Sequence, residues 1–474
     1  MRATLSPVRA QATALLIALP LAATCGHERG ELTDLLNNTA CGETVTLDHD
    51  VVEDVLVYQE CPADQRIRLL GVGDRRPLIT GATEHALRFS GAGYVFEHLE
   101  FTSPAGCDLE HRVVFGNGRD MDFVDVVIRD GGFDGFGTYC DELGRAQNIR
   151  ILDSEILRNG LGCFDDERGI LNGDGVDLYG CLDCEIAGSY IHGNNNYQVQ
   201  IKGGARGVEV RDSVIDSRSQ YGLLLGKPGG ADTCDEPNAA DVRVHHNVIR
   251  MRDLNGWPLW IYETVDLLIE HNTVTIEDIA QGPLNPDGVS GGFVLVGNDL
   301  TGPFGATVRN NVFVNASVPL FAPISKGSGD SLPLDLSGLD VHHNLFFDRD
   351  DPLSAPPDGA ASSLVADPAF VDFPADLGLT ASSPAIDAGA DLGAPFAGAG
   401  PDLGAFEFGV DGTTPAAPDD PPPGARATGE QGCAVVCGPT RRPWALVLLA
   451  LSLLRRRRRD APRRVESAGA GFPR

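Results

Sequence analysis

Lysine, aromatic side chains and long hydrophobic runs are all scarce in this sequence. Only Lys202, Lys227 and Lys326 are lysines among 474 residues, and Phe, Trp and Tyr together make up 7%. The apolar run at 444–454 falls well short of the ~20 residues that a stable membrane-spanning helix needs. With 57 Gly and 31 Pro and no sustained helical period, the chain is also unsuited to long helices. These absences argue against a helical membrane protein and favour many short elements joined by turns.

Positive charge is scarce as well. The chain has 37 basic and 67 acidic residues, for a formal charge of -30. Residues 1–25 and 433–474 together hold 12 of the basic but only 2 of the acidic residues, which leaves a body of about -40. Such a surface repels phosphate backbones and anionic membranes, so the charge argues against nucleic acid as a partner. It is compatible with divalent cations, above all Ca²⁺.

The first 25 residues have the layout of a secretory signal peptide. Arg2 and Arg9 precede the apolar run Ala12–Ala23, and small residues follow. The sequence therefore predicts export. The segment 21–25 (LAATC) resembles a bacterial lipoprotein cleavage box, which would imply a lipid on Cys25. Cleavage nearby without lipidation is the alternative.

The other end of the chain carries an ordered set of features. Gly432-Cys433 is followed by Pro443-Trp444, an apolar run to Leu454 and the five arginines Arg455–Arg459. This order resembles the C-terminal sorting tags of myxobacterial-type surface proteins. The resemblance implies that the tag is processed, with Cys433 at the matching position, and that the protein is held at the outer membrane or cell surface.

The cysteines of an exported chain are more readily explained by disulfides than by reactive thiols. Apart from Cys25, Cys433 and Cys437, eight cysteines lie in the body. Cys41 and Cys61 are predicted partners across an early loop. The pairing of the four cysteines clustered further along stays open: Cys163, Cys181, Cys184 and Cys234. A zinc site is disfavoured because the pair at 181 and 184 has no second matching pair or nearby histidine pair.

Seven copies of a short strand recur along the chain, each with a small polar residue at its sixth position. Apolar and polar residues alternate in every copy, and the copies lie 24 to 39 residues apart, as expected for coils of about 22 to 25 residues with loop inserts. Stacking in register would give a continuous apolar interior. The polar position falls where each coil bends, and stacked amides there can bond one another. These predicted ladder residues are Ser154, Ser189, Ser213, Asn247, Asn272, Asn311 and Asn344.

A second strand follows in most coils, as at 175–180, 198–203 and 222–227. Two strands per coil without a helical period predict an all-β fold, a right-handed parallel β-helix solenoid. The chain resembles the right-handed parallel β-helix superfamily that includes pectin-acting enzymes. Residues 383–389 with 400–407 resemble the closing motif of anchored bacterial β-helix proteins, which implies a cap on the solenoid.

The predicted organisation is a monomer with an N-terminal cap, a C-terminal linker and a short hydrophobic tail. A short helix over Glu31–Asn38 is predicted to cover the first, otherwise open, edge of the solenoid. The segments are a signal peptide (1–25), the N-terminal cap (26–44), the β-helix (45–408), a Pro, Gly and Asp-rich linker (409–431), the sorting tag (432–459) and a tail (460–474).

Aligned second strands stack the side chains that share the outward face. Two columns result: Asp177, Gln200, Leu224, Trp260 and Leu295, and beside it Tyr179, Lys202, Gly226, Tyr262 and Gly297. Rings beside polar groups suit a sugar chain, whose C–H faces stack on rings while its hydroxyls form hydrogen bonds. The other interpretation is that these rings cover loop inserts at 228–240 or 280–290. The substrate-binding candidates are Trp260, Gln200, Arg206 and Lys227.

A polysaccharide lyase is the first of three functional hypotheses. It needs a base that removes the proton alpha to a uronate carboxylate and a cation that neutralises this carboxylate. Lys202 is the candidate base, with Tyr179 and Tyr262 beside it, and aromatic neighbours with partial burial would lower its pKa from ~10.4. The candidate calcium ligands are Asp165, Asp166, Glu167, Asp174 and Asp177.

A glycoside hydrolase is the second hypothesis, and it needs two carboxylates flanking the scissile bond. The segment 172–177 (NGDGVD) resembles the Asn-Thr-Asp-Gly motif of the pectin-hydrolysing branch of the superfamily, with Asp174 at the acid position. The resemblance would place the branch's Asp-Asp pair on Asn196-Tyr197 and its Gly-His-Gly on 220–222. Neither the carboxylate pair nor the histidine is present, which argues against hydrolysis.

A non-catalytic surface module is the third hypothesis: a binding face or rigid spacer displayed by the linker and tag. A β-helix fold does not separate the three, because fold is not function. The sequence as a whole predicts a cell-surface or secreted protein that contacts an extracellular, acidic polysaccharide along the coils between 174 and 263. Cleavage by β-elimination is left open.

Overall fold

The chain divides into two units, residues 1–417 and 418–474, and every residue described below belongs to the first. A computed structural model describes residues 30–104, 106–107, 111–141, 144–165, 170–218, 221–226, 234, 237–252, 257–261, 264–277, 294–297, 305–315, 321–324, 338–349, 355–357, 359–393 and 395–410. For 164–165, 170–171, 294–297 and 321–324 it describes the backbone alone. Within these ranges, no helix has the length and apolar character needed to cross a membrane.

Successive coils contribute strands to three parallel sheets, of 12, 12 and 10 described strands, which stack into a parallel β-helix. The predicted fold class is confirmed, but the expectation of two strands per coil was wrong. The segments predicted as single strands bend at their ladder residues. The two halves of each segment therefore belong to different sheets. Ser154, for example, separates Gln147–Leu152 from Glu155–Leu157.

The strands are numbered in chain order and the sheets are called A, B and C. Sheet A contains β1 (Thr44–Leu47), β4 (Ile67–Gly71), β7 (Ala92–Glu97), β10 (Arg119–Val124), β15 (Gln147–Leu152), β20 (Glu185–Ala187), β23 (Ala205–Arg211), β26 (Ala239–His245), β29 (Thr264–Glu270), β32 (Ala306–Arg309), β35 (Leu339–His342) and β37 (Ala360–Ala361). Sheet B contains β2 (Val51–Val52), β5 (Leu78–Thr80), β8 (Glu100–Thr102), β11 (Val127–Arg129), β16 (Glu155–Leu157), β21 (Tyr190–His192), β24 (Val214–Ser217), β27 (Val248–Met251), β30 (Thr273–Ile276), β33 (Val312–Val314), β36 (Leu345–Phe347) and β38 (Leu364–Val365). Sheet C contains β3 (Val55–Val57), β6 (Leu87–Phe89), β9 (Val114–Gly116), β12 (Phe136–Thr138), β19 (Val176–Tyr179), β22 (Tyr197–Lys202), β25 (Tyr221–Leu225), β28 (Trp257–Ile261), β31 (Val294–Gly297) and β34 (Phe321–Ile324). Three short antiparallel pairs complete the described strands: β13 (Cys140–Asp141) with β14 (Gly144–Arg145), β17 (Phe164–Asp165) with β18 (Ile170–Leu171), and β39 (Phe370–Asp372) with β40 (Asp376–Leu379).

The interior is a single apolar column enclosed by the three sheets. Alternation sends every second side chain inward, as in β4, where Ile67 and Leu69 are fully buried. In the early coils the column is aromatic: the rings of Phe96 and Phe123 stack with centroids 5.1 Å apart, and Phe136 meets Phe123 edge-on at 5.0 Å. The core therefore grows one layer with every coil.

The polar ladder lies along one edge of the solenoid, as predicted. The backbone N–H of each member donates to the side-chain oxygen of the next, over 3.1 Å from Ser189 to Ser213 and 3.0 Å from Asn247 to Asn272. Each asparagine amide also donates to the next asparagine oxygen at 3.0 Å. The ladder runs one coil further than expected, because the Asn344 N–H donates to Ser363 Oγ at 3.1 Å. Buried polar groups at the bends are thus satisfied coil by coil.

The predicted N-terminal helix is confirmed as α1 (Glu31–Asn38). Leu32 and Leu36 bury their side chains in the core, so the helix covers the first coil. The carboxylate of Glu53 accepts the Leu32 N–H at 3.1 Å and the Thr33 N–H at 2.8 Å. This acidic side chain satisfies N–H groups that the first turn of a helix leaves free.

The C-terminal closing segment, residues 366–410, lies along the outer flank of sheet B. The first residues of most of these sheet B strands face outward yet are apolar, and Leu377 packs on Tyr190, Val214 and Val248. Further along, Leu403 joins the same kind of cluster. The expectation that the closing motif caps the solenoid is therefore corrected: it covers six coils from the side, because their outward apolar column needs cover.

His271 links this closing segment to the coils. Its ring accepts the Asn310 amide at 3.0 Å and bonds the backbone of Asp402, while Asn310 also holds Ala390 through two hydrogen bonds. Burial, with a smaller contribution from the charge of His246, lowers the pKa of His271 to about 4. The neutral ring is thus the form that the folded state favours.

This histidine predicts a pH-dependent stability. Because the folded pKa lies below the unfolded value of ~6.5, the stabilisation is complete above pH 6.5 and is lost as the pH falls toward 4. At about 1.4 kcal/mol per pKa unit, the loss is about 3 kcal/mol. Urea unfolding at pH 7 and pH 4 should show this loss in the wild type and a correspondingly smaller one in His271→Asn, whose asparagine tolerates the left-handed backbone (φ 50°). Equal pH dependence in the two proteins would contradict the assignment.

All eight body cysteines form disulfides, which fits an oxidising compartment. The predicted pair Cys41–Cys61 is confirmed. The others are Cys107–Cys163, Cys140–Cys234 and Cys181–Cys184. Cys25, Cys433 and Cys437 lie outside the described residues.

Candidate active site

The outward face of sheet C carries the predicted column of side chains. Strand pairing places Asp177 beside Gln200, Gln200 beside Leu224, and Leu224 beside Trp260. The same pairing continues to Leu295 at the backbone level. In the neighbouring column, Tyr179 pairs with Lys202 as predicted. Residues more than twenty positions apart in sequence are therefore vertical neighbours.

Three aspartates meet at the start of sheet C strands in two consecutive coils. Asp134 precedes β12, and Asp174 precedes β19 at the equivalent turn, so the Asp174 N–H donates to Asp134 Oδ1 at 2.8 Å. Asp177 follows within β19 and turns its carboxylate to the same point. One oxygen from each lies within 4.8 Å of the other two, and all three side chains are at least 94% buried. We call these residues the aspartate cluster.

Two positively charged side chains contact the aspartate cluster, and one precedes the aspartates in sequence while the other follows them. Lys202 Nζ lies 3.1 Å from Asp177 Oδ1, and it also donates a hydrogen bond to Gln200. Arg112 Nε donates to Asp134 Oδ2 at 2.7 Å, with a second nitrogen 3.6 Å from Asp177 Oδ2. Three carboxylates against two cations leave the buried group one positive charge short.

Glycine makes room for the arginine. A Cβ at Gly137 would lie 3.0 Å from Arg112 Cδ, closer than side chains normally approach. Without that atom the guanidinium carbon can lie over the Phe115 ring, 4.5 Å from its centroid, while Nε reaches Asp134.

The charge deficit appears in the protonation of the carboxyl groups. Burial, reinforced by the negative charge of Asp134, raises the pKa of Asp174 well above its usual value. Burial also raises the pKa of Asp134, although Arg112 opposes the shift. For Lys202 the expected lowering was wrong: burial does lower its pKa, but the three carboxylates outweigh burial and raise it.

The aspartate cluster fits a divalent cation. Ca²⁺ binds oxygen ligands at about 2.3–2.6 Å, so the ligand atoms around one ion lie within about 5 Å of one another, as the three oxygens here do. Asp177 Oδ1 is buried, and Lys202 Nζ at 3.1 Å is its ion-pair partner. Asp174 is held in place by Asn196 Nδ2 and the Tyr197 N–H, both at 3.1 Å. Three carboxylates that are held in place and converge on one point are what a cation site requires.

Aromatic rings extend from the aspartate cluster along the later coils. Tyr197 stacks on Tyr221 with centroids 4.5 Å apart, and Tyr221 lies 4.7 Å from Trp260. All three are partly exposed, so they form a continuous aromatic surface over three coils. Burial raises the pKa of Tyr221 to about 12, so its hydroxyl stays protonated at neutral pH.

The other predicted site residues fall in four groups. Gln200 is 5% exposed and bonds Lys202, so it lies behind the surface. Arg206 belongs to β23 of sheet A, where it donates to the Pro237 carbonyl. Asp165 lies in β17, where only the backbone is described. Outside the described residues lie Asp166, Glu167, Lys227 and Tyr262.

Asp134 and Arg112 were missed by sequence reasoning. One signal for Asp134 was present: the segments 134–137 (DGFG) and 174–177 (DGVD) share an Asp-Gly pair 40 residues apart, at the same turn of consecutive coils. Arg112 had no comparable signal, because its role depends on a side chain that crosses one coil.

Comparison with known proteins shows a fold and no family. No protein-family model matches the chain, and no curated protein matches it in sequence. Among solved structures, pectate lyase Pel9A is 15% identical with a TM-score of 0.49, over 79% of this chain and 90% of that one. An alginate lyase from Paenibacillus sp. str. FPU-7 is 15% identical (TM-score 0.39; 71% and 95%), and a GH136 lacto-N-biosidase from Eubacterium ramulus 12% (TM-score 0.36; 70% and 63%). At these identities the likeness concerns the β-helix fold alone.

Proposed function

We propose that this protein binds an acidic, uronate-containing polysaccharide along sheet C and cleaves it by β-elimination. The observation that carries the proposal is the aspartate cluster with Lys202 against it. Buried carboxylates short of positive charge are costly unless a cation or proton joins them. A lysine fixed beside a cation site on an outward face matches the two groups that elimination needs.

The residues of the chain have separate tasks in this reaction. Lys202 Nζ would take the proton alpha to the uronate carboxylate, while the bond to the glycosidic oxygen breaks and a carbon–carbon double bond forms in the sugar. The leaving oxygen takes up a proton from water. Gln200 holds the amine in position, and Arg112 fixes Asp134 and Asp177. A Ca²⁺ ion held by Asp134, Asp174 and Asp177 would neutralise the uronate carboxylate and offset the aspartates beside Lys202.

Non-catalytic glycan binding is the second candidate function. The stacked rings of Tyr197, Tyr221 and Trp260 favour it, because a sugar chain can lie on them whether or not a bond is broken. Hydrolysis has no such support: Asn196 and Tyr197 stand beside Asp174 where the hydrolase branch has its carboxylates.

We also propose that the protein acts outside the cell or at its surface, as a monomer. The signal-like segment 1–25 and the tag-like segment 432–459 support this location, and the acidic body favours an extracellular glycan partner over nucleic acid. Attachment would depend on processing at Cys433, which lies outside the described residues.

A screen of acidic polysaccharides tests the proposed function. The purified protein is incubated with polygalacturonate, alginate and glucuronate-containing polymers, with Ca²⁺ and with chelator, and the ultraviolet absorbance of unsaturated uronate is followed. We expect absorbance to rise on at least one polymer with Ca²⁺ and not with chelator. Binding without any absorbance would favour the non-catalytic module, and the absence of both would contradict the proposed function.

A further inference from the structure

A groove of about 770 Å³ opens on the N-terminal side of the aspartate cluster. Arg88, Arg119 and Arg145 line it, with Tyr139 and Asn117 between them. Its walls come from early strands of sheet C, from the first residues of sheet A strands β10 and β15 and from the hairpin β13–β14. This is a different part of the molecule from the aromatic surface of the later coils. Nothing in the proposed reaction uses these side chains.

The groove is positively charged on a protein that is otherwise acidic. Three arginines line it against one acid, Glu60, whereas acidic residues outnumber basic ones 67 to 37 in the whole chain. Arg119 pairs with Glu60, and both are at least half exposed, so water weakens that pair. Arg88 is exposed and has no hydrogen bond or ion pair to any residue in the described ranges. A concave surface with excess positive charge attracts anions.

The groove and the aspartate cluster share one line of the solenoid. Strand pairing stacks Arg88, Phe115, Gly137 and Asp177 in successive coils of sheet C. The Tyr139 ring in the groove stacks on Phe115 with centroids 4.8 Å apart. The Phe115 ring also contacts the guanidinium of Arg112. At about 4.8 Å per coil, Arg88 lies about 14 Å from Asp177 along the solenoid axis.

We propose that this groove binds carboxylates of uronate residues that lie beyond the reacting one, and so extends the glycan site three coils toward the N-terminus. The inference rests on the proposed function and adds its substrate class: a chain with repeated carboxylates, several sugars long, bound across the site. Arginine forks match carboxylate geometry, and the tyrosine offers a face for the sugar ring. Such a chain is cleaved at internal bonds.

The double variant Arg88→Gln/Arg119→Gln tests the groove. Binding is measured in the Lys202→Ala background, so that cleavage does not consume the ligand, with fluorescent polygalacturonate and alginate and with their trisaccharides. We expect the Kd of the preferred polymer to rise about tenfold at low salt, which is the loss expected for two exposed charge-assisted contacts. The trisaccharide Kd should not change, because so short a chain does not span both regions.

The control is Arg243→Gln, which removes an exposed arginine from the outer face of sheet A. In the cleaving protein, the groove variant should raise KM for polymer and leave kcat unchanged. Unaltered polymer affinity in the groove variant would overturn the groove proposal, even if cleavage itself is observed. If the wild type cleaves no polymer and the Lys202→Ala protein binds none, the proposed function fails together with the groove.

Discussion

Replacing Lys202 with alanine should reduce β-elimination at least ~10³-fold, to background in a standard assay. The reason is geometric: Lys202 is the one lysine of the described site, and its amine is fixed between Asp177 and Gln200. Without it, the outward face beside the aspartate cluster has no amine to take the proton. Initial rates of absorbance increase, with the polymer preferred by the wild type, measure the effect.

Charge and proton transfer can be separated at this position. Lys202→Arg keeps a positive charge beside Asp177 but is not a base at accessible pH, so it should be as inactive as Lys202→Ala. Lys202→Met keeps the length of the side chain and controls for packing. Thermal unfolding of each variant shows whether the fold is intact. Activity within tenfold of the wild type in a folded Lys202→Arg protein would show that the amine is not the base.

The second large effect is expected on Ca²⁺ binding. The wild type should bind Ca²⁺ in a calorimetric titration and gain about 2.7 kcal/mol of stability at a free concentration one hundred times Kd. Asp174→Asn removes a central ligand and should weaken Ca²⁺ binding at least ~100-fold, with elimination lost in parallel. The titration needs no substrate, so it tests the cation site independently of the reaction.

The effect of Asp174→Asn on stability should have opposite signs in chelator and with Ca²⁺. In chelator, the variant should be more stable than the wild type, because burial and Asp134 already raise the pKa of Asp174 and the amide removes a repelled charge. With Ca²⁺, the wild type should be the more stable protein. Asp340→Asn, an exposed change on sheet A, is the matched control. No Ca²⁺ binding by the wild type would reject the cation site and leave the aspartate cluster as a structural ion pair group.

The fold could be predicted because it depends on local and repeated features. The seven ladder residues, the alternation of each strand and helix α1 are all visible in short stretches of sequence. The ladder and the alternation repeat from coil to coil, and the helix can be predicted from its own residues. Three sheets instead of two could not be seen, because the bend at Ser154 or Asn247 interrupts an alternation that looks continuous. The flank position of the closing segment depends on an outward apolar column that only the assembled coils create.

The candidate site was predictable in part, for the same reason. Asp174, Asp177 and Lys202 come from neighbouring coils whose spacing is regular, so alignment brought them together. Asp134 precedes a loop insert that lengthens its coil to 40 residues and hides the register. The direction of the Lys202 pKa shift depends on the sum of three buried charges, and the charge of Asp134 was not predicted from sequence.

The closing segment changes how the solenoid behaves as a whole. In a simple repeat array each coil contacts only its neighbours, so the array can fray from an end in independent steps. Here Leu377 lies against the coils of Tyr190 and Val248, while Gly404 bonds Asn310 two coils later. The closing segment spans six coils and couples their opening, so this part of the molecule should melt as one cooperative block. It can reach its final stability only after residues 366–410 have been synthesised.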